Sequence, residues 1–239
     1  MKKAFFYLLL LGTAILSSCD EGDIPEKAPV LDADGRAAKV TAEVSGLDSW
    51  PSSYTIAVAA FAENNEYAAF VKDLKATTAS DGTYTFYNIP DGVKTLEICA
   101  VNSLRRRIAT FAQMDISEIS DTIHFDAGQV NAGMFQALQD NIFTARCAAC
   151  HGGGSGTAAA NLHLGAGRSY ADLVGIASTV SPTEQRVVAG KADSSVLYKV
   201  LATDFSDSWS RPHSNFLSTD EDQYKLRMLR DWINNGAKE

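Results

Sequence analysis

Basic residues are in the minority here. Across 239 residues, 21 Lys and Arg stand against 29 Asp and Glu, a formal charge of −8. Nucleic-acid binding needs a cationic footprint, so that class of partner is excluded. Cysteine is also scarce, with four in the whole chain. Two of them lie close together, and no second pair exists to complete a structural zinc shell. A long apolar run is missing too. The hydrophobic stretch from residue 4 to 16 is too short to cross a membrane comfortably. What remains is ordinary globular material, 46% hydrophobic and 21% charged. The length suits one large domain or two of usual size.

The short apolar run has a meaning of its own. Lys2 and Lys3 precede it, which is the layout of a secretory signal. It ends in ILSSC, residues 15 to 19, which resembles the lipobox of bacterial lipoproteins. The resemblance implies that residues 1–18 are removed and that Cys19 becomes the first mature residue and carries a lipid. The protein would then be anchored in the bacterial cell envelope, on a periplasmic or outer-membrane face. Residues 19–37 are acidic, contain Pro and Gly and show no periodicity, so they read as a solvated tether.

Residues 38–128 have the period of strands. KVTAEV, YTIAVAAF, YAAFVKDLKAT, GTYTFYNI, KTLEICAV, RIATFAQM and DTIHF are rich in Val, Ile, Thr, Tyr and Phe, with turn signals between them. Seven such runs predict an antiparallel β-sandwich. Asp81-Gly82 is placed for a tight turn. SDGTYTFYNIPDG resembles transthyretin-like or carboxypeptidase-regulatory-like sandwich modules, an immunoglobulin-like class that implies a spacer or binding role. Little in this region carries chemistry. Arg105, Arg106 and Arg107 read as a solvated turn, with a docking patch for an anionic partner as the alternative. Trp50, Tyr54 and Tyr67 are candidates for a binding patch. Cys99 reads as a buried small hydrophobe, and His124 as a sheet-face residue.

From residue 131 to 239 the pattern turns to helix and loop. Met134, Phe135, Leu138, Ile142 and Ala145 form a stripe that runs into CAACHGGG, with Asn131 as N-cap. Near the C-terminus, Ser218 and Glu221 suggest a capping box, and Gly236 a helix stop. Cys147, Cys150 and His151 make a C-x-x-C-H, the pattern of covalent haem c attachment. One helical turn separates the cysteines, so both reach one porphyrin edge, and His151 falls beneath the iron as proximal ligand. Phe135, Phe143, Leu162, Leu164, Leu173, Val174, Leu197, Tyr198 and Trp232 are expected to line or support the pocket.

IFTARCAACHGGG, AAANLHLGAGRSYADLVG, RVVAGKADSSVLYKVL and LRDWINNGA resemble a class of extracytoplasmic single-haem cytochrome c domains. The resemblance implies a second domain with a mainly α cytochrome c fold after the sandwich. It also implies electron transfer between redox partner proteins, without substrate chemistry of its own. The family carries a distal methionine in a Met-Pro-Pro loop, and there the chain departs from it. Arg211 stands in the methionine position, and arginine stays protonated and cannot ligate iron. His213, two residues on, is the first candidate for the distal iron ligand, with Met228 and His163 behind it. Two alternatives stay open. One is a five-coordinate haem that senses or reacts with gases or peroxide. The other is a binding lipoprotein with an accessory haem region.

Overall fold

A computed structural model of the chain describes residues 35–77, 82–152, 157–203 and 212–239. The signal segment, Cys19, the tether up to residue 34 and Arg211 lie outside these residues, as does the Asp81 half of the expected turn, while Arg36 and Ala37, expected at the tether's end, already belong to the first strand. Among the described residues no helix is long and apolar enough to cross a membrane.

Each of the seven apolar runs forms a strand. They are β1 (Arg36–Ser45), β2 (Tyr54–Ala62), β3 (Phe70–Asp73), β4 (Thr83–Ile89), β5 (Val93–Asn102), β6 (Arg107–Asp115) and β7 (Ile123–Asn131). One sheet has the order β4-β1-β7 and the other β3-β2-β5-β6. The pairing is not wholly antiparallel, because β1 and β7, first and last in sequence, run parallel from Ala38/Ile123 to Ser45/Asn131. Tyr84 and Phe86 of β4 point inward while Thr85 and Tyr87 are exposed, the alternation of a strand with one wet face. β2 and β5 are instead buried along most of their length, which is why YTIAVAAF and LEICAV read as continuous apolar runs. On the second face of that sheet, Cys99 and Phe61 are buried beside Glu97. The Glu97 carboxylate is satisfied by the Arg107 guanidinium and by the Thr95 and Thr110 hydroxyls, as a buried charge requires.

Arg36 shows how tightly one end of the sandwich is tied. Its Nη1 donates to the carbonyls of Ile116 and Ile119 at 2.7 and 2.8 Å. Its Nη2 donates to those of Pro90 and Val93 at 3.3 Å each. One side chain therefore pins two loops. Arg36→Ala is expected to lower stability by about 2–3 kcal/mol, since several part-buried carbonyls lose their donors. A urea titration with an unchanged midpoint would refute this.

The remainder is helical only in pieces. α1 (Met134–Leu138) runs into a π-helical stretch, Gln139–Cys147, and then α2 (Ala148–His151). α3 (Ser169–Leu173), α4 (Val196–Ala202) and α5 (Asp220–Asn234) follow. Among the described residues α5 is the longest α-helix at 15 residues, and the other four α-helices have four to seven. Between them lie short 3-10 turns, loops and the isolated bridges Val174/Val187 and Ala177/Gln185. The expectation of a mainly α cytochrome c fold after the sandwich is therefore corrected. The regular structure is mostly β, and the C-terminal part is not a cytochrome-like mainly α fold. One cause is visible in the chain: Gly165, Gly167, Gly175, Pro182 and Gly190 keep the stretch between α2 and α4 in short pieces.

The described residues belong to one compact unit. A single apolar cluster extends from Ala38 in β1 to Ala237 beyond α5. The junction is specific. The Trp50 indole Nε1 donates to the Ala132 carbonyl at 2.7 Å, and the Tyr54 hydroxyl donates to Asp231 Oδ2 at 2.7 Å. Asn235 Nδ2 donates to the Ser49 carbonyl at 3.0 Å, and the Arg106 guanidinium lies 3.9 Å from the Tyr224 ring centre. A Cβ at Gly46 would sit 2.4 Å from the Gly133 nitrogen, so glycine is needed where the end of β1 crosses the start of α1. Gly46 also has φ +81°, which only glycine adopts freely.

Two local expectations shift. β7 continues through Asn131, whose side chain accepts from Gly133 N, and the N-cap of α1 is Gly133. The capping box of α5 is Thr219 with Asp222, one residue beyond the expected Ser218 and Glu221. α5 ends at Asn234, and Gly236 takes φ +95° after it, as its position suggests.

Candidate functional site

A cavity of about 540 Å³ opens beside the C-x-x-C-H segment. That volume is within the range of small-molecule and cofactor sites, roughly 300–1,000 Å³. Cys147, Cys150 and His151 line it, as do Leu162, Leu164 and Leu173. α4 adds Val196, Leu197, Val200 and Leu201, and the turn of residues 213–217 adds His213 and Phe216. Of the residues expected to line or support the pocket, Leu162, Leu164, Leu173 and Leu197 do line it. Phe135, Phe143, Tyr170 and Trp232 form an aromatic cluster instead, with Phe135 at 5.2–6.0 Å from the other three ring centres. The lining by Val196, Val200 and Leu201 was not anticipated. Its signal is in the sequence, because SVLYKVL places four apolar residues at helical spacing on one face.

The approach to the cysteines is a π-helix, nine residues ending at Cys147. Buried Ile142 and Phe143 fix it to the core. Gly152, directly after His151, is demanded by sterics, since a Cβ there would come 2.3 Å from the Ala148 carbonyl oxygen. Cys147 is partly covered and Cys150 exposed, and neither is in a disulfide. Burial pushes the Cys147 thiol up to about 11. A redox or metal-binding thiol needs the opposite shift, because the thiolate is the reactive and ligating form.

His151 and His213 both line the cavity, with ring centres 6.2 Å apart and ring planes at 44°. A metal–imidazole bond is about 2.0–2.1 Å. In a five-membered ring with bonds of about 1.33 Å, each atom lies about 1.1 Å from the centre. Two imidazoles on opposite sides of one metal thus have centres about 6.2–6.4 Å apart by the same two lengths. The observed spacing matches that sum. His151 Nδ1 lies 3.0 Å from the Ala159 carbonyl oxygen, so the Nδ1–H tautomer donates to it and leaves Nε2 as the ligating nitrogen. Among the described residues no group of three or more His, Cys, Asp or Glu side chains is placed to hold a metal ion. The spacing of the pair suits an iron whose remaining donors come from a cofactor and not from side chains, so the residues present fit a haem.

The turn that carries His213 is held by Arg146. Its Nη1 donates to the Phe216 carbonyl at 3.0 Å, and its Nη2 donates to Asp222 Oδ1 at 2.9 Å. Burial by itself would raise the Asp222 carboxyl. Hydrogen bonds from Thr219 and the cations of Arg146 and Lys225 outweigh it and hold the group below the usual carboxylate range.

The other candidates lie elsewhere. Met228 is fully buried in the core on α5. His163 Nδ1 is 2.7 Å from Asp172 Oδ2 and does not line the cavity. His124 is exposed on β7. In the 105–107 turn, Arg105 has φ +60°, Arg106 stacks on Tyr224 and Arg107 pairs with Glu66 and Glu97. Trp50 and Tyr54 are used at the junction, which leaves Tyr67 as the exposed member of the proposed binding patch.

No family model matches the chain, no curated protein matches its sequence, and no solved structure matches its fold.

Proposed function

We propose that this protein is a lipid-anchored, single-haem c-type electron carrier of the bacterial cell envelope. The observation that carries the proposal is the pair of imidazoles spaced for one iron, in an apolar cavity whose wall holds C-x-x-C. Haem c would be held covalently by Cys147 and Cys150, with His151 as proximal and His213 as distal ligand. The bound group supplies a one-electron ferric/ferrous couple. The chain's part is to hold and insulate. The Ala159 carbonyl orients His151, Arg146 steadies the His213 turn, and the Leu and Val side chains exclude water from the iron's surroundings. Nitrogen ligation on both sides lowers the potential relative to a methionine ligand. Cys150, exposed, marks the edge at which redox partner proteins would make small, transient contact. Lipid on Cys19 would keep the carrier at the membrane.

The test is the ultraviolet–visible spectrum of matured holoprotein, ferric and ferrous, with and without carbon monoxide, beside His213→Ala. The wild type is expected to be low-spin and indifferent to carbon monoxide. The variant is expected to turn high-spin and bind it. A high-spin wild type that binds carbon monoxide would instead favour the gas- or peroxide-handling alternative.

A further inference from the structure

The cavity wall holds a cation that the reading above leaves unused. Arg186 lines the cavity and is 7% exposed. Its Nη1 donates to the Asp172 carbonyl at 2.8 Å, and its Nη2 donates to those of Ala160 and Asn161 at 3.1 and 3.0 Å. These acceptors are neutral. A guanidinium has five N–H donors, and three are spent here. A buried cation without a counter-ion is costly, so the position calls for an anion.

The backbone around Arg186 is shaped to hold it. Ala160 and Asn161 have φ +54° and +49°, the left-handed region that non-glycine residues seldom enter. Both direct their carbonyls onto Nη2. Thr179, which lines the same cavity, donates its hydroxyl to the Ala160 carbonyl at 3.0 Å. Strained backbone of this kind persists where the surroundings over-determine it, and it clusters at functional sites. Arg36 makes a useful contrast. It spends four donors on carbonyls, and it lines neither this cavity nor the polar cleft near Arg107.

We infer that Arg186 anchors an anion inside the cavity, and that this anion is a propionate carboxylate of the haem c proposed above. The inference rests on that proposal. Other charges near this wall have partners already. Asp172 is with His163, which Arg168 also touches, Glu184 is with Lys199, and Arg146 is with Asp222. Among the described residues of this wall, Arg186 is the cation whose partners are carbonyls. Its pairing keeps the propionate ionised in a dry place. It also cancels a negative charge that would otherwise favour ferric iron, so Arg186 is a positioning residue that holds the potential up.

The experiment uses matured full-length holoprotein as wild type, Arg186→Gln and Arg186→Lys. Spectra and intact mass first establish covalent haem. Spectroelectrochemical titration then gives the midpoint potential from about pH 5 to about pH 9. In wild type the midpoint is expected to stay nearly flat across the acid half of that range. Arg186→Gln is expected to keep a low-spin spectrum while the redox equilibrium moves about tenfold toward ferric, 59 mV for one electron. Its midpoint should also acquire a fall with rising pH, because the freed carboxylic acid now titrates within the range. Arg186→Lys should restore most of both. Any contribution from His163 is common to all three proteins and cancels in the comparison. Wild-type curves from a haem-bearing Arg186→Gln would overturn the inference alone. Absence of covalent haem from the matured wild type would overturn the haem proposal and this inference with it. Should Arg186→Gln fail to accumulate, the wild type decides, since a midpoint that already falls through the acid range counts against the pairing.

Discussion

Trp232→Ala is expected to destabilise the protein by about 3–5 kcal/mol, the usual loss for a large aromatic removed from a core. Trp232 is 1% exposed on α5. Its ring lies 5.3 Å from Phe135, which also meets Phe143 and Tyr170, and its Nε1 donates to the Lys238 carbonyl at 2.7 Å. Truncation leaves a void beneath the segment that leads to the cysteines and orphans a carbonyl at the chain end. The same helix is fastened to the sandwich through Tyr54–Asp231 and Asn235–Ser49. The loss should therefore appear as one cooperative urea transition moved to a lower midpoint with its slope unchanged. A two-step curve, with strand signal surviving to the wild-type midpoint, would count against a single shared core.

Period and turn chemistry made much of this legible in advance. All seven strands sit on runs that alternate or stay apolar, because a strand's burial pattern is written in its own residues. Partner choice is not. Nothing within KVTAEV says that β1 will lie parallel to β7 at one side and antiparallel to β4 at the other. The shared core was hidden for a similar reason. Trp50 and Tyr54 look like a surface aromatic pair until α5 is seen to supply Asp231 and the backbone near residue 132 to supply a carbonyl. The capping box moved by one because Ser218/Glu221 and Thr219/Asp222 both satisfy the local rule. Asp222 also reaches Arg146, and that tertiary contact goes with the register observed. At the site, Cys147, Cys150 and His151 were singled out by the C-x-x-C-H spacing, and His213 by its place in the loop where the resembled family carries a methionine. Arg186 was not, since its meaning depends on three carbonyls contributed by Ala160, Asn161 and Asp172.

The largest expected effect belongs to the cysteine pair. A full-length chain carrying Cys147→Ala and Cys150→Ala should lose covalent haem altogether, read as the apoprotein mass in intact-protein mass spectrometry and as a colourless band where wild type stains for haem under denaturing conditions. Non-covalent haem held by His151 and His213 would not survive denaturation, so the readout isolates the thioether bonds. The substitution removes only two sulfurs from the edge of the cavity, one of them exposed, and leaves the core cluster and the α5 junction in place. Far-ultraviolet circular dichroism should accordingly stay near that of wild type. Stability should not. A cavity of about 540 Å³ lined by leucine and valine has no apolar filling once the haem is gone. A cofactor that binds only the folded state adds to its stability by linkage, so the variant should unfold at lower urea than holoprotein. A double variant with the wild type's mass, colour and urea midpoint would show that these sulfurs bind nothing, and the haem proposal would fall with that result.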